Sequence, residues 1–114
     1  MTKRASTLIN RIRKLADKYP GATYTPIDDE SCSYTRGKVE NGPEQEGCIV
    51  GQAAYGYLRI PLDMDRSGVG TLVIDTRVQG SEEEIAWMSE VQNQQDGGQT
   101  WEASVKAADR LVKL

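Results

Sequence analysis

SEEEIAWMSEVQNQQDGGQTWEASVKAADRL, residues 81–111, carries two helix starts and the break between them. Ser81-Glu-Glu-Glu84 is a capping box: a serine hydroxyl for the third helical N–H, and a glutamate reaching back from that third position. The helix it opens runs to about Gln95, where Asp96-Gly-Gly98 breaks it. Thr100 then caps a second helix whose apolar side is Trp101, Val105, Ala108 and Leu111 or Val112. Glu102 and Lys106 stand one turn apart on it as a favourable pair. Two helices joined by so short a turn fold back on each other as a helical hairpin.

Upstream of these helices, residues 67–78 read two ways. Val69, Thr71, Val73, Ile74, Thr76 and Val78 suit a strand, while Val69, Leu72, Val73 and Thr76 fit one face of a helix. Residues 59–66 are a connection. The small, apolar run 48–58 reads as a buried helix in which Gly51, Ala54 and Gly56 admit a close neighbour. Each of those glycines weakens an isolated helix by about 1 kcal/mol, so tertiary packing must hold it. At the other end, Leu8, Ile9, Ile12, Leu15 and Ala16 form one apolar stripe on a helix over 6–18. Ser6 or Thr7 is placed to cap it, and Tyr19-Pro20-Gly21 stops it. Between these helices, 22–26 and 31–36 are rich in β-branched and aromatic residues and predict an antiparallel hairpin turning at 27–30. Residues 37–47 follow as an exposed Gly- and Glu-containing loop. The expectation is an α+β single domain over 1–114, mostly helical, with a small two-stranded hairpin, a C-terminal helical hairpin and residues 1–5 as a flexible basic tail.

No histidine occurs in the chain, and that removes much chemistry. Cys-His and Ser-His-Asp nucleophiles, His-containing zinc sites and the usual base poised near neutrality are all excluded. No run approaches the roughly 20 apolar residues of a membrane span, and no apolar leader opens the sequence. Two cysteines are too few for a secreted disulfide scaffold, so a cytoplasmic location is expected, without membrane association. The net charge of −3 conceals a division. Residues 1–18 carry six basic groups against Asp17, a balance of +5, and the remainder carries −8. A basic head on an acidic body suggests either nucleic-acid contact or a head that packs on the body. The second is preferred, because phosphate-binding surfaces recruit more than one element.

Two stretches carry a family resemblance. The first is Cys32-x-Tyr34 followed, after a loop, by Gly47-Cys-Ile-Val-Gly51-Gln-Ala53. The second is Val91-Gln92-x-x-Gln95-Asp96-x-Gly98-x-x-Trp101, running into a helix that ends Ala107-Ala108-Asp109. With Arg66-Ser67-Gly68, this resembles a group of small proteins from actinobacteria and their phages, over about residues 22–110. The loop between the cysteines is longer here, and Tyr55-Gly-Tyr57 departs from the group's Leu-rich helix. The resemblance implies helix over strand for 67–76, a phage or actinobacterial source, and no particular activity.

Candidate sites are few. Cys32 and Cys48 are open to two readings: a reversible redox pair, or two small apolar thiols in the core, which is preferred. C-x15-C without a third ligand is a poor zinc site, so no metal and no cofactor are expected. Gly47–Gly51 lacks the Gly-Lys-Ser/Thr ending of a phosphate loop. Asp28, Asp29 and Glu30 form a turn, and Asp63 and Asp65 do not continue into a calcium loop. Arg4, Arg11, Lys14 and Lys18 share a helix face, read first as solvated and second as a phosphate contact. Gln92, Gln95 and Trp101 gather at the helical hairpin, either as a polar recognition surface or as core and turn residues. A DNA-reading role for that hairpin is set aside, because Glu102 and Asp109 beside Lys106 and Arg110 leave its second helix without a positive face. The expected function is a small protein-binding or regulatory module acting on a host protein. Homodimerisation through free hairpin edges is expected, and nucleic acid and redox or enzyme roles rank as alternatives.

Overall fold

The computed structural model describes residues 2–26 and 33–114. In chain order these form β1 (Lys3–Arg4), α1 (Ala5–Lys18), β2 (Thr23–Thr25), β3 (Lys38–Glu40) and α2 (Ile49–Ala54). A 3-10 turn (Leu62–Met64) follows, then α3 (Val69–Asp75), β4 (Val78–Gln79), α4 (Glu82–Asp96) and α5 (Trp101–Leu111). The fold is α+β and mostly helical.

α4 and α5 form the helical hairpin. Ser81 and Glu84 make both hydrogen bonds of the capping box, and the Thr100 hydroxyl accepts the Ala103 N–H at 3.2 Å. Burial of Trp87, Met88 and Val91 on one helix faces Trp101, Val105 and Ala108 on the other. The α5 stripe finishes on Val112, which packs on the core, while Leu111 faces solvent. α1 lies across this hairpin and α2, its buried side being Leu8, Ile9, Ile12 and Ala16. α5 also grips the segment after α1, because Trp101 N–H donates to Ala22 O at 2.9 Å.

Residues 67–78 combine both readings in sequence: Val69, Leu72 and Val73 form the buried face of α3, and Val78 belongs to β4. β4 pairs in parallel with β1, Lys3 opposite Val78 and Arg4 opposite Gln79. Lys3 and Arg4, expected within a flexible tail, are therefore strand residues, and Ala5 is fully buried against Gly80. This pairing also starts α1 earlier than Ser6 and Thr7 would set it. Arg4 is the N-cap and no side chain caps the helix.

The hairpin is a correction. β2 pairs with β3, Tyr24 opposite Val39, and not with 31–36. The expected turn 27–30, together with residues 31 and 32, lies outside the described residues. Ser33–Arg36 is no strand because its backbone is bound elsewhere. Tyr34 N–H donates to Asp65 O at 3.0 Å and Thr35 N–H to Asp65 Oδ1 at 3.0 Å, while Ser33 O accepts the Cys48 N–H at 3.0 Å. The Ser33 and Thr35 hydroxyls also donate to the Asp65 carboxylate. This segment lies directly on α2, where a Cβ at Gly51 would overlap the Tyr34 carbonyl.

Candidate binding surface around the second helix

α2 is shorter than the expected 48–58. It stops at Ala54 because Tyr55 (φ −57°, ψ 127°) and Gly56 (φ 77°) occupy the central positions of a type II turn, closed by Tyr57 N–H to Ala54 O at 2.8 Å. Gly56 thus serves the turn, not close packing, since nothing lies within 4 Å of where its Cβ would be. The turn holds Tyr55 out to solvent, 67% exposed. Arg11 fixes it from α1: its Nε donates to Ala53 O and its Nη2 to Tyr55 O. Those carbonyls belong to a helix end that lacks intrahelical donors, so the guanidinium satisfies groups otherwise left to water.

Beside this turn lies a groove of about 490 Å³. It is lined by Tyr34 and Thr35, by Gly51 and Tyr55, by Leu58 and Ile60, and by the polar Gln45 and Glu46. The Tyr34 hydroxyl does not point polarity into solvent, because it donates to Ser67 O at 2.7 Å. A second groove, of about 220 Å³, runs along the other side of α2 and is lined by Arg11, Lys14, Leu15, Lys18, Gln52 and Ala53.

The structure therefore brings Arg11, Lys14 and Lys18 together but gives them unequal roles. Arg11 is half-buried and engaged with α2, whereas Lys14 and Lys18 are exposed. Arg13 answers the body's charge, its guanidinium gripping Asp109 through two bonds of 2.9 and 2.8 Å while lying 4.7 Å over the Trp87 ring. Trp87 Nε1 donates to the same carboxylate at 2.8 Å. The Arg13 hydrogen bond, with help from Trp87 and the nearby charges of Arg13 and Lys113, holds the Asp109 carboxyl below its ordinary range.

Of the two readings of the helical hairpin, the burial of Gln92, Gln95 and Trp101 agrees with the core one. Gln95 and Trp101 are fully enclosed, and Gln92 is buried with them. Gln95 Oε1 accepts the Ile49 N–H at 2.7 Å, and its Nε2 donates to Asp96 Oδ1 at 2.9 Å. It is a packing residue that caps α2. Cys48 is fully buried among apolar neighbours, and Cys32 lies outside the described residues. Among the described residues no three His, Cys, Asp or Glu side chains gather as metal ligands would, and no helix is long and apolar enough to cross a membrane.

Sequence reasoning missed the Tyr55 turn, whose local signal is the isolated Gly56 near the end of a helical pattern. It also missed Asp65 as an anchor, for which no local signal exists. No family model, curated protein or solved structure matches the chain.

Proposed function

We propose that the chain is a small protein-binding module whose docking surface is the groove beside Tyr55. The observation that carries this reading is the conjunction of an apolar hollow of about 490 Å³ with a tyrosine held outward on its rim by a fixed turn. Tyrosine is enriched among binding hot spots. A backbone already ordered before contact loses little further entropy when a partner covers the side chain it carries. Arg11 and Gly56 supply that order here. The sequence resemblance adds a source: an actinobacterial phage, whose host supplies the target protein.

The test is recovery of partners from an actinobacterial lysate by the whole chain, its Tyr55→Ala variant and a Lys106→Ala control. Tyr55 is exposed, so the variant folds. A protein retained by wild type and control but lost from Tyr55→Ala is the expected result. Equal recovery by all three overturns the reading.

A further inference from the structure

The two grooves are neighbours. Arg11, from the lining of the smaller, donates to the carbonyl of Tyr55 in the larger. Gln52, also from the smaller, donates through Nε2 to the carbonyl of Gln45 in the lining of the larger. A bound segment crossing the edge of α2 at either place passes from an apolar hollow to a cationic one.

The cationic hollow lacks a counterion of its own. Lys14 and Lys18 have no ion-pair partner among the described residues, in contrast to Arg13 with Asp109 and Lys106 with Glu102. Like charges one turn apart repel, and an arriving anion relieves that repulsion. Lys14 and Lys18 are separated by about 6 Å along α1 at about 1.5 Å per residue. Carboxylates two residues apart on an extended chain are separated by about 6.6 Å, so the two spacings match. The rest of the molecule, at −8 outside residues 1–18, disfavours an acidic segment relative to this place, and Glu46 in the larger groove directs the acidic positions toward the lysines. None of the residues lining the basic groove is aromatic, and the Tyr19 ring beside it is already covered by Lys18 Nζ at 5.4 Å and met edge-on by Trp101 at 6.5 Å, so a single-stranded nucleic acid finds little there on which to stack its bases.

We infer that the partner presents an acidic segment: an apolar side chain for the Tyr55 groove, with Asp or Glu at alternate positions reaching Lys14 and Lys18. This rests on the docking reading above, and the experiment separates the two. Random peptides displayed on yeast are selected in parallel against the whole chain, a Lys14→Glu/Lys18→Glu double variant and Tyr55→Ala, each confirmed folded by its thermal melt. Wild-type binders are expected to carry alternating acidic residues beside an aromatic or leucine anchor and to bind the double variant at least about tenfold more weakly. The double variant is expected to select basic residues beside the same anchor. Binders that need Tyr55 yet show no acidic bias, or that ignore the double reversal, overturn the inference and leave the groove standing. If no binder distinguishes wild type from Tyr55→Ala, the groove itself is refuted. An oligothymidylate that binds wild type more tightly than the selected peptides, and loses that binding in the double variant, assigns the lysines to nucleic acid instead.

Discussion

Gln95 caps a helix to which it does not belong: its side-chain oxygen accepts the Ile49 N–H at 2.7 Å, with both groups buried. Gln95→Met keeps most of the volume and removes the acceptor, leaving that N–H without a partner. The expected cost is about 1–3 kcal/mol, read as a lowered urea midpoint with unchanged slope. A midpoint equal to wild type would mean that the start of α2 does not depend on Gln95.

Trp101 is fully buried and meets Tyr19 edge-on at 6.5 Å between ring centroids. Its Nε1 has no hydrogen-bond partner among the described residues, so its whole contribution is packing. Trp101→Ala should therefore destabilise by roughly 3–5 kcal/mol. Trp101→Phe should cost markedly less, because no hydrogen bond is lost with the indole N–H. A phenylalanine variant as unstable as the alanine one would contradict that account.

Gly51 is the point where α2 meets the backbone of Tyr34 with no room for a methyl group. Gly51→Ala must displace backbone, not a flexible side-chain tip, and should cost about 3 kcal/mol despite alanine's better helix propensity. Backbone amide shifts in the variant should concentrate at Ser33–Arg36 and Asp65. A stabilised variant would show that the segment does not rest on α2.

The Arg13–Asp109 pair predicts a pH dependence. Because the folded carboxyl titrates below its unfolded value of about 3.9, protons bind the unfolded chain more readily. The pair's contribution is thus complete above about pH 5 and disappears as pH falls through the folded value. Both side chains are more than a third exposed, so the contribution stays below about 1 kcal/mol. Asp109→Asn should melt below wild type at neutral pH, with the gap closing by about pH 2. A gap that persists in acid would assign the effect to packing against Trp87.

Legibility in the sequence follows the range of the interactions. Ser81 and Thr100 cap helices through groups three residues away, so both ends are readable from their spacing. The apolar stripes of α1 and α5 are legible for the same reason. Gln95 is half-legible: it continues the helical face of Met88 and Val91, which marks it as buried. Its partner lies 46 residues away and leaves no trace in the local pattern. The hairpin failed at its second strand because Thr35 and its neighbours have strand propensity, yet their polar groups are taken by Asp65, 30 residues further on. The basic stripe is legible as a face. That Arg11 is spent on the end of α2 while Lys14 and Lys18 stay exposed depends on which helix passes beside it.

β1 lies beside residues 78 and 79, and α1 packs on α2, α4 and α5. The chain's first helix is thus synthesised before every helix that shelters Leu8, Ile9 and Ile12. On the ribosome that amphipathic face waits, uncovered, until α2 emerges, and α4 and α5 join it only later. The core around α1 therefore closes only once α5 has been made, and until then an apolar surface of the nascent chain is available to chaperones or to other nascent chains.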